Sequence, residues 1–211
     1  MRIAIVGATG MIGQRILREV VARGHEVTAL ARNPSRLEPR HELRAASVDA
    51  TDAEALEAAV RDHDAVVSAV GPGHDGSPGL VVEVTRALAA SCTRAGVRRV
   101  LVVNGAGSLA VKPGVELLAT PEFREDWRPI ALAHREALEI WRRVKELDWT
   151  VISPAAEIAP GPRTGHYRKG HNDLLTDANG RSHISAEDFA VAVADELQNN
   201  AHIRERITFA Y

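Results

Sequence analysis

Three spaced glycines follow a short apolar segment near the start of the chain, and this arrangement limits the possible folds most. Residues 3–6 read Ile-Ala-Ile-Val, and Gly7, Gly10 and Gly13 come before a helical spacing of apolar residues. The first glycine permits a tight turn, the second lets a ligand approach the backbone, and the third lets the helix pack closely on the strand. The pattern predicts a helix N-terminus that binds phosphate. The alternative is a tight strand–helix turn without a ligand.

Strand-like and helix-like segments alternate along the rest of the chain. Strands are predicted at 3–6, 27–31, 43–48, 65–70, 99–103, 149–153 and 206–211, and helices at 11–23, 52–60, 80–89, 130–144 and from 185 onward. Such βα repetition predicts an α/β fold: a Rossmann-type, doubly wound parallel sheet between two helical layers. We predict a single domain over residues 1–211. Two irregular segments, about 105–129 and 154–184, are predicted to form a small lobe on the substrate side.

Composition excludes several classes of function. Lys and Arg number 26 against 28 Asp and Glu, and aromatic residues make up 4% of the chain. This balance predicts no nucleic-acid partner and no binding to membrane surfaces. No apolar run approaches the roughly 18 residues of a membrane span, and the N-terminal segment lacks a signal-peptide pattern. We therefore expect a cytoplasmic protein, either a monomer or a homodimer. Cys92 is the single cysteine, so no disulfide forms within the chain.

Histidines near the C-terminal third raise the question of a metal site. His166, His171 and Asp173 surround Tyr167, but their spacing does not match a known ligand motif. A polar loop is the preferred interpretation, and no metal is expected.

The end of the second strand bears on the choice of cofactor. A site that prefers NAD places Asp or Glu there to bind the ribose 2′-hydroxyl. This chain has Arg32, Asn33 and Arg36 instead. Because guanidinium groups suit a 2′-phosphate, the segment favours NADP, with NAD still possible. The alternative for Arg36 is a solvated residue at a helix start.

Two further strand ends complete the predicted dinucleotide site. Asp49 and Ala50 follow the third strand, and the Asp49 carboxylate can accept a hydrogen bond from the adenine amino group or can serve only as a turn residue. Small residues after the fourth strand allow backbone to lie along the ribose. The residues predicted from this reasoning to bind the cofactor are Gly7, Ala8, Thr9, Gly10, Met11, Ile12, Arg32, Asn33, Arg36, Asp49, Ala50, Ala69, Val70 and Gly71.

Four motifs carry a resemblance to a known family. They are the glycine segment 7–13, Asn-Gly-Ala-Gly-Ser-Leu at 104–109, Asp-Trp-Thr-Val-Ile-Ser-Pro at 148–154, and Ser-His-Ile-Ser-Ala-Glu-Asp-Phe-Ala at 182–190. Over nearly its whole length the chain resembles atypical short-chain dehydrogenases/reductases. It is most similar to their flavin-reductase-like branch, which is related to biliverdin-IXβ reductases and NmrA-like proteins.

The resemblance implies further site residues. Asn104 and Gly105 would contact the cofactor, and the backbone of Pro154, Ala155 and Ala156 would lie against the nicotinamide. Ser108 matches the place where relatives carry a serine or threonine near the reacting centre. Ser108 would orient the molecule that accepts the hydride there, or it would simply cap a loop.

The catalytic pair of the core family is missing. Those enzymes use Tyr-x-x-x-Lys, whereas the corresponding helix of this chain carries His134 and Arg135. His134 could donate a proton near neutral pH, or it could be a surface residue. A flavin or quinone acceptor needs little acid–base help, which suits such a site.

Three functions are consistent with these features. The first is an NAD(P)H-dependent oxidoreductase that transfers hydride to a flavin, quinone or similar conjugated acceptor. The second is a non-catalytic, NmrA-like dinucleotide sensor. The third, a sugar-nucleotide epimerase or dehydratase, fits least well because the Tyr/Lys pair is missing and the chain is short for a substrate domain.

Overall fold

The structure is a computed structural model that describes residues 1–37, 43–72 and 77–211, and of Arg36 only the backbone. Its α-helices are α1 Met11–Ala22, α2 Ala53–Val60, α3 Gly79–Ala95, α4 Arg128–Arg143 and α5 Ala186–Asn199. Its strands are β1 Arg2–Val6, β2 Glu26–Ala31, β3 Leu43–Ser47, β4 Ala65–Ser68, β5 Arg99–Val103, β6 Ala110–Lys112, β7 Val115–Glu116, β8 Asp148–Pro154, β9 Glu157–Ala159, β10 Arg168–Gly170, β11 His183–Ser185 and β12 Glu205–Ala210.

Eight strands form the central sheet, in the order β10-β12-β8-β5-β4-β1-β2-β3. Neighbouring strands from β12 to β3 are parallel. Helices of ordinary crossover length join them, except that the described part of the β2–β3 connection has a 3-10 turn at Pro34–Arg36. The predicted doubly wound α/β fold is confirmed. The edge strand β10 differs, because it runs antiparallel to β12. Its sequence, Arg-Lys-Gly, has no apolar alternation and therefore gave no strand signal.

Alternate residues of each strand face different helical layers. Ile3 and Ile5 of β1 pack in one core with residues of α1 and α5. Ala4 and Val6 pack in a second core with residues of α2, α3 and α4. The predicted three-layer arrangement is confirmed. Each layer is held by burial of aliphatic side chains, worth about 1.5–3 kcal/mol for each large one.

The two segments predicted to be irregular contain short elements. The first carries the hairpin of β6 and β7 and two 3-10 turns, and the second carries β9 and β10. β9 pairs in parallel with β11, outside the central sheet. These segments begin at the carboxyl ends of β5 and β8, which places them on the side of the sheet where ligands bind in doubly wound folds. Within the described ranges, no helix has the length and apolar character needed to cross a membrane.

Candidate dinucleotide-binding site

A cleft of about 790 Å³ opens at the carboxyl ends of β1, β2, β3 and β4. In the sheet, β1 lies between β2 and β4, so chain connections leave it in opposite directions and a crevice forms at this switch point. Eleven of the residues predicted to bind the cofactor line this cleft. They are Gly7, Thr9, Gly10, Met11, Arg32, Asn33, Asp49, Ala50, Ala69, Val70 and Gly71.

The three glycines of the turn meet three different steric demands. Gly7 has a φ of +81°, and a Cβ there would lie 2.9 Å from the Ala69 carbonyl. A Cβ on Gly13 would lie 2.1 Å from the Gly7 oxygen, a separation that no packing tolerates. A Cβ on Gly10 would meet the Gly7 oxygen at 3.4 Å, so this position is sterically open. Gly7 and Gly13 therefore shape the turn, whereas Gly10 leaves room beside it.

The N-terminus of α1 has backbone donors without a side-chain cap. Asp52 Oδ1 caps α2 by accepting from the Glu54 amide at 3.0 Å, and Ser185 Oγ caps α5 by accepting from the Asp188 amide at 3.0 Å. Gly10, at the corresponding position of α1, makes no side-chain cap, as is also the case for α3 and α4, but the start of α1 lies on the cleft wall. Because the first amides of a helix are otherwise unsatisfied and carry its positive dipole end, this N-terminus fits a pyrophosphate.

One guanidinium lies at the corner expected to receive the ribose. Arg32 is exposed on the wall of the cleft, and its carbonyl accepts from Ser47 Oγ at 3.0 Å. The side chain of Asn33 is engaged locally, because its Oδ1 accepts from the Ser35 amide at 3.2 Å. The side chain of Arg36, the other predicted arginine, lies outside the described residues. Among the described side chains, Arg32 supplies the positive charge of this corner.

Asp49 lines the same cleft as Arg32 and has a local role as well. Its Oδ1 accepts from the Thr51 amide at 2.9 Å and from Thr51 Oγ1 at 2.8 Å. These bonds hold the pKa of the Asp49 carboxyl below its usual value, and the charge of Arg32 lowers it further. The carboxylate is thus ionised and oriented, with Oδ2 outside these bonds. The turn role is present, and the contact with adenine stays a prediction.

Seven predicted cofactor residues do not line the cleft as described. Ala8 is fully buried, and Ile12 packs against the core. The others belong to the corner between β5 and β8, where Ser153 Oγ donates to the Gly105 carbonyl at 2.9 Å and the Ala156 amide donates to Ser182 Oγ at 3.1 Å. Their predicted contacts with the nicotinamide stay predictions. These seven are Ala8, Ile12, Asn104, Gly105, Pro154, Ala155 and Ala156.

His134 is locked against the first residues after β5. Asn104 Nδ2 donates to the His134 carbonyl at 3.1 Å, which leaves Asn104 Oδ1 to accept from His134 Nδ1 at 2.6 Å. The proton of the neutral ring therefore lies on Nδ1. Burial lowers the pKa of the imidazole to about 4. A ring that is already neutral at pH 7 has no imidazolium proton to donate, so this pKa does not favour the predicted role of His134 as a proton donor. The side chain is half-buried, and its ring packs on Gly105. The catalytic role of His134 stays a prediction.

We expect His134 to make stability depend on pH. The unfolded histidine titrates near 6.5 and the folded one near 4, so the unfolded state binds more protons between these values. Stability should be full above pH 6.5 and fall by up to about 3 kcal/mol toward pH 4. Urea unfolding at pH 7 and pH 5 measures this loss. In His134→Gln the difference should shrink to the share of His25, whose pKa burial also lowers. An equal difference in both proteins would contradict the assignment.

Both tyrosines donate hydrogen bonds to carboxylates of α5, on the face of the sheet that α1 and α5 cover. Tyr167 donates to Asp195, and Tyr211 donates to Asp188 at 2.6 Å, both acceptors being on α5. Burial and these carboxylates raise the pKa of each phenol. Neither hydroxyl is set up to act as an acid beside the cleft.

Ser108 lies on a second cavity that shares no lining residue with the first. Its Oγ accepts a hydrogen bond from Arg206 Nη1 at 2.9 Å, and its carbonyl accepts from the same nitrogen at 3.1 Å. The sequence did not indicate Arg206 at all. Its partner lies far away in the chain, and an isolated arginine in a strand carries no motif. The role of Ser108 beside the reacting centre stays a prediction.

The structure groups the histidines differently from the sequence interpretation. His171 lies with His202 and Glu205, and their ligand-type atoms are within 4.8 Å of one another. His202 Nδ1 is 2.6 Å from Glu196, and its Nε2 is 3.1 Å from the Lys169 ammonium. A cation therefore already stands at the nitrogen that a metal would need. His166 and Asp173 are not part of this cluster.

A parallel sheet with an open crevice at its switch point and an uncapped helix N-terminus defines a Rossmann-type NAD(P)-binding protein. The model of the NAD(P)H-binding family matches residues 7–200. The chain belongs to this family and has the fold of its oxidoreductases.

Three solved structures are similar over the whole of this chain. An exported protein, provisionally so named, from Burkholderia pseudomallei is 46% identical with a TM-score of 0.92 and is covered over 100% of its length. A provisionally named epimerase from Bacteroides thetaiotaomicron is 38% identical with a TM-score of 0.93 and 96% coverage. A provisionally named NADH-flavin reductase from Streptococcus pneumoniae is 32% identical with a TM-score of 0.87 and 99% coverage.

Proposed function

We propose that this protein is an NADPH-preferring reductase that passes hydride to a flavin, a quinone or a similar conjugated acceptor. One observation carries the proposal. The described residues that line the cleft include no His, Cys, Tyr or Lys, so this described part of the wall offers phosphate and ribose contacts without a proton donor suited to neutral pH. The name of the Streptococcus pneumoniae neighbour supports the same class of acceptor.

The reaction asks little of the side chains. A bound reduced nicotinamide supplies a hydride, and water supplies the proton that completes reduction of the acceptor. The first amides of α1 hold the pyrophosphate, and Arg32 holds the 2′-phosphate. The neutral imidazole of His134 keeps Asn104 and the start of the β5–α4 segment in place, acting as a positioning residue. The protein thus contributes mainly orientation.

The direct test is cofactor oxidation with FMN, riboflavin and quinones as acceptors, with NADPH and NADH compared side by side. We expect turnover with at least one acceptor and a higher kcat/KM with NADPH. Saturable binding of NADPH without turnover on any acceptor would favour the dinucleotide sensor instead. Epimerisation of a sugar nucleotide is the third outcome, suggested by the name of the Bacteroides thetaiotaomicron neighbour.

Arg32→Ala should weaken NADPH binding by about 10- to 150-fold, or roughly 1.5–3 kcal/mol, because a charge-assisted hydrogen bond to the 2′-phosphate is lost. NADH binding should change little. Titration calorimetry with each cofactor measures both effects. Arg98→Ala is the control, because the Arg98 side chain is 68% exposed and pairs with Asp148 outside the cleft. Equal losses for NADPH and NADH would show that Arg32 does not recognise the 2′-phosphate.

We also propose that the protein works in the cytoplasm, where reduced dinucleotide is regenerated. The name of the Burkholderia pseudomallei neighbour favours export instead. Cell fractionation with an antibody to this chain decides between the two compartments.

A further inference from the structure

Two arginines, Arg99 and Arg206, are buried to a similar degree but differ in their partners. Their relative exposures are 7% and 8%. Arg99 lies 2.8 Å from the carboxylate of Glu196 on α5. In the described part of the chain, Arg206 makes no ion pair with any carboxylate. Buried charges are ordinarily paired, because taking an ion out of water is costly. The charge of Arg206 is therefore uncompensated by a direct partner.

Neutral groups fix the position of the Arg206 guanidinium. Nε donates to Asn172 Oδ1 at 3.0 Å and Nη2 donates to the Asn172 carbonyl at 3.3 Å. Nη1 donates to both oxygens of Ser108. A guanidinium has five N–H donors, so these four bonds leave one N–H on Nη2. Ser108 Oγ acts here as an acceptor, and its own proton stays available to a ligand.

A cavity of about 450 Å³ lies directly against Arg206 and Ser108. Val115 and Leu118 supply apolar surface on its wall, in addition to the polar groups of Arg206 and Ser108. This volume is within the range of small-molecule sites, which combine mostly apolar walls with a few fixed polar groups. The pocket therefore offers one charged end and one apolar end to a ligand.

The other charges of this pocket are already balanced. Arg135 pairs with Glu116 at 3.1 Å, and Arg142 pairs with Glu139 at 2.5 Å. Burial, and to a smaller extent the positive charge of Arg142, lower the pKa of the Arg206 guanidinium, whereas the carboxylates of Glu116, Asp173 and Glu139 act in the opposite direction without contacting it. Among the described arginines that line the pocket, Arg206 is the one without a directly paired carboxylate, and this suits a ligand that brings a carboxylate of its own.

We propose that this pocket binds a small monocarboxylic acid with an apolar body. One carboxylate oxygen accepts from the remaining N–H of Arg206 and the other accepts from the Ser108 hydroxyl, while the apolar body lies against Val115 and Leu118. This site is separate from the dinucleotide cleft. The inference goes beyond the proposed reductase and does not depend on it.

Titration calorimetry with benzoate and with benzamide, its uncharged analogue of the same shape, tests the proposal. Saturating NADP⁺ is present in one series and absent in the other. We expect benzoate to bind at least ten times more tightly than benzamide, equally with and without NADP⁺. Removing a partner from a charged hydrogen bond should weaken benzoate about tenfold in Ser108→Ala and more in Arg206→Gln.

Arg61→Gln is the matched control. Arg61 is an exposed arginine that pairs with Glu57 four residues earlier, and neither residue lines the pocket. Its benzoate affinity should equal that of the unmodified protein. If Arg206→Gln fails to fold, Ser108→Ala and the benzoate/benzamide ratio decide. Any one of four results would overturn the proposal. Benzoate does not bind, benzamide binds as tightly as benzoate, Ser108→Ala binds benzoate with unchanged affinity, or NADP⁺ displaces benzoate.

Discussion

Gly13→Ala is expected to destabilise the protein by about 3 kcal/mol or more, a large share of the 5–15 kcal/mol that holds a typical domain folded. The added Cβ would lie 2.1 Å from the Gly7 oxygen, between the first turn of α1 and the end of β1. Neither partner can retreat easily, because the Gly7 oxygen is backbone directly after β1 and Gly13 is backbone in the first turn of α1, and both β1 and α1 are packed into the core. Helix and strand must separate to relieve the overlap.

Thermal and urea unfolding measure this effect. At about 2–4 °C per kcal/mol for a chain of this length, the melting temperature should fall by about 6–12 °C or more. Gly79→Ala is the control, because among the described residues a Cβ there meets only Glu83 Oε1 at 3.9 Å. It should leave stability unchanged or slightly higher. Similar melting temperatures for the two variants would show that α1 does not pack on β1 as closely as described.

Gly10→Val is expected to weaken dinucleotide binding more than hundredfold while the fold persists. Gly10 has φ −73° and ψ 166°, an extended conformation that valine adopts readily. A Cβ is tolerated at 3.4 Å from the Gly7 oxygen, so the two methyl groups would take up space at the uncapped N-terminus of α1. That is the space a pyrophosphate needs for contact with the amides.

Calorimetry with NADPH measures the loss, and a melting curve without cofactor checks the fold. Gly10→Ala is the matched variant and should lose much less affinity, because a single methyl group extends less far from the backbone. An unchanged NADPH affinity in Gly10→Val would reject this cleft as the dinucleotide site. The contrast with Gly13→Ala separates a glycine needed for binding from a glycine needed for packing.

The regular elements were predictable because their signals are local. Buried parallel strands read as continuous aliphatic runs, as at β1 and β5, and amphipathic helices repeat apolar residues every three to four positions. The predicted last residues of three central strands agree with the structure: β1 ends at Val6, β2 at Ala31 and β5 at Val103. The short strands β6, β7, β9, β10 and β11 were not predicted. Each has two or three residues, too few for a periodic pattern to show.

Several residues of the candidate cleft were also predictable from local signals in the sequence. Gly7, Gly10 and Gly13 could be assigned from the sequence, because their roles follow from backbone geometry within one strand–turn–helix unit. Arg32 and Asp49 could be placed as well, because the carboxyl ends of neighbouring parallel strands meet at one edge of the sheet. These assignments needed only the order of the elements and no knowledge of side-chain packing.

Contacts between segments distant along the chain were decided by the tertiary structure alone. The pairing of His134 with Asn104 sets the tautomer of the imidazole, and burial lowers its pKa. Ser108 pairs with Arg206 and lines a second pocket. Both depend on how the long segment after β5 folds back over the sheet. Burial sets the pKa of the imidazole, and the proximity of side chains decides which hydrogen-bond donors stay available. Neither burial nor proximity can be read from the spacing of residues along the sequence.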